Sequence, residues 1–374
     1  MVKVLEVNVD DLYSGGVFSL IKNIIINKNE KLDISIAAIE KFEKDENLDV
    51  LSRYGCNVYY VGYDKSKLKK QIYVYKNLKK LIKTQKFDYI HIHADVANKL
   101  LVSGLAAKNA GANNIIFHSH AAGIDGNHRK IKFIVHKICS YFLKMIGTKY
   151  VACSKVAAEW MFPNININKI ILINNGVDLN KFCFDKKIRN RVRKELKAED
   201  IILLGHVGRF CYQKNHNYFI GILKILKQQN IPAKLLLIGE GPGENEFKEK
   251  IKENHLDDMT IFYGTSNKVN ELFMAMDIFL LPSHFEGLPI VGVEAQATGL
   301  PSILSDKITT ETKLINEVEF IGINNQDVTK WVATIKKFIN RTKDRSKAYY
   351  ILKEKKFSIK DTIDSFLRLY TSEK

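Results

Sequence analysis

Glu286 and Glu294 stand eight positions apart in the stretch SHFEGLPIVGVEAQATGLP, residues 283–301, where their neighbours are glycine, proline and apolar residues. An exposed helix carrying carboxylates for solubility would surround them with other charges. A carboxylate among apolar neighbours is a strong acceptor for paired hydroxyls. The pattern predicts a strand, a Pro-Ser turn, then Gly287-Leu288-Pro289 leading into a helix that begins near Ile290. Glu286 then precedes the helix, Glu294 lies about one turn in, and the amides near Gly287, Leu288 and Ile290 suit an anion or sugar hydroxyls.

Three further groups have the residue types for chemistry. In HVGRFCYQKNH, Arg209 and Lys214 follow Gly208 at a strand terminus, and an Arg fork with a Lys point charge can converge on a diphosphate; the same pair would serve as solvated surface cations. In YSGGVFSL, Gly15 and Gly16 follow the first strand and open a helix, a turn that admits a phosphate to backbone N–H groups or simply makes the corner tight. In FHSHAAG, His118 and His120 fall on one side of an extended segment, where a buried core histidine is the commoner fate. No Asp-x-Asp occurs, and neither His pair has a carboxylate at metal-ligand spacing. No metal and no cofactor are therefore expected, and fixed cations must neutralise any diphosphate.

The elements that must position these groups alternate along the chain. Short β-branched runs (VKVLEVNV, DISIAAI, NVYYVGY, DYIHIHA, NNIIFHSHA, KYVACS, KIILINNGVD) form a first series, and IILLGHVGRF, AKLLLIGEG, MTIFYG, DIFLLPS and PSILSD a second. Helical spacing fills the intervals, as at 16–26, 67–84 and 216–229. This implies an α/β fold of two doubly wound, Rossmann-like domains with parallel sheets, expected at 1–182 and 183–356, with a last helix at 357–374. Ligands in such folds sit beyond the carboxyl ends of the strands, so two domains facing across a cleft would pool their motifs there.

Composition sets the outer limits. The chain has 374 residues, 46% hydrophobic and 26% charged, enough for two cores. No apolar run is long enough for a membrane span, and the N-terminal segment is too interrupted by acids for a secretion signal. Five scattered cysteines suggest neither a disulfide framework nor zinc, and fit a reducing cytoplasm. The net charge of +17 favours an anionic partner: nucleic acid, an anionic membrane or a phosphorylated substrate. Residues 128–147, HRKIKFIVHKICSYFLKMIG, mix basic and large apolar residues and suit either an anionic membrane surface or a core helix with a basic edge.

Taken in order, SGGVFSL, FDYIHIHA, IIFHSHAAG, YVACSKVAAEWMF, ILINNGVDLNKF, HVGRFCYQKNH, LLLIGEGPGENEF and LPSHFEGLPIVGVEAQATGLPSILSD make the chain resemble the family-4 retaining glycosyltransferases of GT-B fold, in the bacterial capsular and exopolysaccharide branch. The resemblance implies Glu294 on the ribose hydroxyls of a nucleotide-sugar donor, and Glu286 beside the transferred sugar. It implies Gly287, Leu288 and Ile290 at the sugar and diphosphate, Arg209 and Lys214 on the diphosphate, Gly15 and Gly16 closing over the phosphates, and His120 near the reacting centre. Asn174 replaces a common proline without touching the chemistry. The implied reaction moves a hexose or N-acetylhexosamine from a UDP-sugar, with retention and without metal, to a lipid-linked saccharide at the inner face of the cell membrane. The last helix is expected to cross back to the N-terminal domain. A UDP-sugar epimerase of the same fold lacks the support of EGLPIVGVEAQATGLP in this form, and a nucleic-acid-binding protein would need a basic stripe with interleaved aromatics that is not seen.

Overall fold

The computed structural model describes residues 1–11, 16–63, 67–340 and 344–371. Packing divides the chain into two compact units, Met1–Asn175 with Ile359–Lys374, and Gly176–Ser358. The change falls earlier than position 182 because the segment after Asn175 is held within the second unit: the Val177 N–H donates to the Phe357 carbonyl, and Phe182 lies against Phe273.

The first unit is built on seven parallel strands: β1 Val2–Val7, β2 Leu32–Ala38, β3 Val58–Tyr60, β4 Tyr89–Ala94, β5 Ile115–Ser119, β6 Lys149–Ala152 and β7 Ile170–Leu172. Their order, β3-β2-β1-β4-β5-β6-β7, reverses direction between β1 and β4. All six residues of β4 are buried, as expected of a central parallel strand covered on both faces. The helix Gly16–Asn27 puts Phe18, Ile21 and Ile25 into the core beside Ile363, Phe366 and Tyr370 of the C-terminal helix Ile359–Thr371. That last helix therefore belongs to the first unit although the second unit precedes it in the chain.

Six parallel strands make the second sheet: β8 Ile202–Val207, β9 Ala233–Ile238, β10 Thr260–Gly264, β11 Ile278–Leu281, β12 Ser302–Ser305 and β13 Val318–Ile321. Their order is β10-β9-β8-β11-β12-β13, with the switch between β8 and β11. β13 is absent from the strands expected from the sequence. It has only four residues, three of them half-buried, and Glu319 interrupts its apolar character. Leu204, Phe219, Leu280 and Trp331 centre this unit's core.

Candidate active site

In the second unit the loops leaving β8 and β11 meet at the topological switch point. Glu286 is buried, and its Oε1 accepts from Lys214 Nζ at 2.7 Å and from Ser283 Oγ at 2.9 Å, while Oε2 accepts from Gln213 Nε2 at 3.0 Å. Lys214 is thus aimed at a carboxylate. Two supports hold the pair. Gly208 leaves room for the Lys214 stem, because a Cβ there would lie 3.1 Å from its Cδ and Cε. Asn215, at φ 55°, turns the chain and donates from Nδ2 to the Pro282 carbonyl at 3.1 Å.

The loop carrying Arg209 has its own support. A Cβ on Gly239 would lie 2.3 Å from the Gly208 carbonyl oxygen, and one on Gly241 would lie 2.6 Å from the Phe210 nitrogen. These two glycines, at φ 135° and 159°, let the loop after β9 lie directly on the loop after β8, and the Phe210 N–H donates to the Glu240 carbonyl. Ser283, Gln213, Gly239 and Gly241 were not expected as site residues. The GEGPG run behind a strand was the one visible signal for the glycines; no local pattern marks Ser283 or Gln213.

Pro289 starts the helix Ile290–Ala297 as its N-cap, Leu288 is buried, and Glu294 is half-buried. Burial pushes the Glu294 carboxyl up to about 7, partly offset by the positive charge of Lys181. The helix is fixed by Gln296, which donates to the Gly292 and Thr312 carbonyls and accepts from the Leu314 and Ile315 amides. His206 and His216, behind the Lys214 loop, are held neutral by burial, His206 down to about 3.

In the first unit Gly16 opens its helix and is exposed, while Gly15 lies outside the described residues. His120 joins a buried chain of polar side chains at the switch between β1 and β4. Its Nε2 lies 2.8 Å from His93 Nδ1, and His93 Nε2 lies 2.6 Å from Glu6 Oε2. Tyr370 donates to Glu6 Oε1 at 2.8 Å, His91 Nδ1 lies 2.5 Å from the Tyr370 hydroxyl, and His91 Nε2 lies 3.1 Å from His118 Nδ1. Burial holds all four histidines well below their usual range, and pushes Glu6 up to about 8 against the lowering effect of the Tyr370 bond. Ring nitrogens of His91, His93 and His118 lie within 4.8 Å of one another. Of their six nitrogens, five are engaged in the hydrogen-bonded chain and only His118 Nε2 lacks a partner.

The segment 128–147 forms the helix Arg129–Phe142 and a short turn, Leu143–Met145. His136 pins it: Nδ1 accepts from the Ala97 amide, so Nε2–H donates to the Trp160 carbonyl. Ile131, Phe133, Ile134, Ile138 and Met145 are exposed, so a core helix is ruled out. No helix among the described residues is long and apolar enough to cross a membrane.

The model for Glycosyltransferase Family 4 matches residues 40–181, and that for glycosyl transferases group 1 matches residues 187–355. The chain is a family-4 glycosyltransferase. It is 30% identical to EpsF of Bacillus subtilis over 257 residues, 67% of this chain and 65% of that relative's length. It is 27% identical over 349 residues to the UDP-Gal:alpha-D-GlcNAc-diphosphoundecaprenol alpha-1,3-galactosyltransferase of Escherichia coli, 88% of this chain and 86% of that one. Among solved structures, Anabaena Alr3699/HepE in complex with UDP-glucose superposes with a TM-score of 0.81 at 16% identity, covering 100% of both chains. That likeness bears on the fold: two parallel-sheet Rossmann-like units, as the sequence implies.

Proposed function

We propose that this glycosyltransferase moves a hexose or N-acetylhexosamine from a UDP-sugar, with retention of configuration and without metal, to a lipid-linked saccharide in cell-surface polysaccharide assembly. The observation that carries this reading is the cluster at the β8–β11 switch. Lys214 and the Arg209 loop stand at two strand ends with Glu286, and Glu294 follows on the helix Ile290–Ala297. Transfer breaks the bond between the anomeric carbon and a diphosphate, so negative charge grows on the leaving group, and Arg209 and Lys214 are assigned to it. Lys214 is held in place beforehand by Glu286. It serves the phosphate without further ordering of its long side chain, the main entropic cost of using lysine.

Glu294 is assigned to the ribose hydroxyls, Glu286 and the amides of Gly287, Leu288 and Ile290 to the transferred sugar and diphosphate, and Gly15 and Gly16 to the phosphates. His120 is assigned to the sugar at the reacting centre, and a donor phosphate oxygen takes the acceptor's proton. Support for a UDP donor and a lipid-linked acceptor comes from the Escherichia coli relative, whose name carries both.

The exposed face of Arg129–Phe142 is assigned to an anionic membrane surface. Arg129, Lys130, Lys132, Lys137 and Lys144 flank its apolar residues, and Lys137 and Lys144 lie over the Phe133 and Tyr141 rings, at 5.1 and 4.9 Å from the centroids. Such a face buries its apolar side chains among headgroups while the cations meet lipid phosphates.

Thermal melting of the purified protein with UDP, GDP, ADP and TDP in excess chelator tests the donor site, because a ligand that binds only the native state raises the melting temperature. Stabilisation by UDP that disappears in Glu294→Ala is expected. Stabilisation that survives Glu294→Ala, or that requires added metal, would remove the assigned donor site.

A further inference from the structure

The hydrogens of the buried chain around Glu6 are fixed on one side of the carboxyl and free to shift on the other. Tyr370 has one hydroxyl hydrogen and donates it to Glu6 Oε1. Its bond with His91 Nδ1 must therefore be donated by that nitrogen. His91 Nε2 is then bare and accepts from His118 Nδ1–H, which leaves a lone pair on His118 Nε2. This is the buried nitrogen with no partner, and an unpaired acceptor there is consistent with the count.

On the other side of Glu6 the direction is not fixed by the neighbours. With Glu6 protonated, Oε2–H donates to His93 Nε2, His93 Nδ1–H donates to His120 Nε2, and His120 presents Nδ1–H outward. With Glu6 ionised the carboxylate only accepts, so His93 carries its hydrogen on Nε2, His120 carries its hydrogen on Nε2, and His120 Nδ1 presents a lone pair. The two states differ by one proton. It leaves at His120 Nδ1, the two histidines each pass one hydrogen along, and Glu6 is left as the carboxylate. Among the described residues no hydrogen bond involves His120 Nδ1; the ring is held through Nε2.

We infer that Glu6, acting through His93, is a positioning residue whose charge state sets whether His120 offers a hydrogen-bond donor or an acceptor at Nδ1. The inference rests on the reading of His120 as the residue that meets the transferred sugar. A ring nitrogen that donates suits a sugar hydroxyl's lone pair, and one that accepts suits its hydrogen, so the switch changes how the same sugar is held. Facing Glu6 are Tyr370 from the C-terminal helix, His91 and His93 from β4, and Cys56 from the turn before β3; facing His120 are His93, His118 and Asp95. The histidines stay neutral and Tyr370 stays protonated across the neutral range. Glu6, which burial holds protonated up to about 8, is therefore the group in the network that changes charge there.

The test is long-range proton–nitrogen NMR of ¹⁵N-histidine-labelled full-length protein between about pH 6 and about pH 9.5, without substrate, with His120→Gln used to assign the resonances. Hydrogen is expected on His120 Nδ1 at low pH and on Nε2 at high pH. Glu6→Gln, whose amide can only donate toward His93 while it accepts from Tyr370, should hold the low-pH pattern throughout. Tyr370→Phe removes a bond that favours the carboxylate, so it should move the changeover to higher pH. An unchanged His120 tautomer across the range in the wild type, or a changeover retained in Glu6→Gln, would overturn the inference. A merely structural role for Glu6 would leave the changeover midpoint of Tyr370→Phe where it was. Because no substrate is present, a changeover in a protein that transfers no sugar would uphold the relay and sink the catalytic reading, whereas transfer with a fixed tautomer would do the reverse.

Discussion

Donor affinity should rise with pH through neutrality, and the rise should belong to Glu294. Its carboxyl is pushed up to about 7 by burial on the helix Ile290–Ala297, and a carboxylate that accepts two ribose hydroxyls binds the donor only when ionised. With a free-state value of about 7, roughly one molecule in eleven is ionised near pH 6 and roughly ten in eleven near pH 8, so affinity should increase about tenfold, or about 1.4 kcal/mol. UDP-glucose is the appropriate probe, since both its phosphates are diesters that stay ionised over this range, unlike those of UDP. His206 and His216 lie well below the window and contribute no slope, and Glu6→Gln, which removes the change at His120, should retain the slope due to Glu294. Isothermal titration at constant ionic strength reads the effect. Glu294→Gln keeps an acceptor but cannot titrate, and should bind weakly at every pH, by about 1–3 kcal/mol for the lost charged hydrogen bonds. A flat profile in the wild type, or the same slope in Glu294→Gln, would refute the role assigned to this residue.

Three further outcomes follow from the packing. Lys214→Ala strands the buried Glu286 with only Ser283 and Gln213 as partners, and should lower stability by about 3 kcal/mol; the Lys214→Ala/Glu286→Ala double variant should lose less than the sum of the single losses in denaturant titration. Gly239→Ala places a Cβ 2.3 Å from the Gly208 carbonyl oxygen; it should weaken UDP-glucose binding by displacing the Arg209 loop while circular dichroism stays unchanged. Glu6 has a folded-state value near 8 against an ordinary 4.5, so the folded state holds this proton more tightly than the unfolded state. Its contribution to stability is therefore complete below about pH 4.5 and lost progressively up to about pH 8, a slope worth roughly 5 kcal/mol that Glu6→Gln should remove from urea midpoints across that range.

Most strands were legible because buried parallel strands are near-continuous apolar runs, as in IFLL of β11, or keep alternate apolar residues, as in YIHIHA of β4. β13 was not, since four residues, three of them half-buried and one an acid, carry little pattern. Glu286 and Lys214 were legible as site residues from their setting, but their pairing was not, because 72 positions separate them. The same holds more strongly for the histidine network. HIH and HSH are plain in the sequence, yet Glu6 and Tyr370, which connect the network, lie 364 positions apart and look like an ordinary strand acid and an ordinary helix aromatic. The helix 129–142 left two readings open, and exposure decided against the core one because His136 turns the other face inward.

The most direct measurement is sugar transfer itself. Purified protein is incubated in chelator with labelled UDP-glucose, UDP-galactose, UDP-N-acetylglucosamine and UDP-N-acetylgalactosamine, with and without a saccharide carried on a polyprenyl diphosphate, and the product's anomeric configuration is read by NMR. The expected result is label moved from one donor to the lipid-linked acceptor, with the donor's α-configuration kept and no turnover in Glu294→Ala. A product of inverted configuration, conversion of the donor without any acceptor, or transfer undiminished in Glu294→Ala would contradict it.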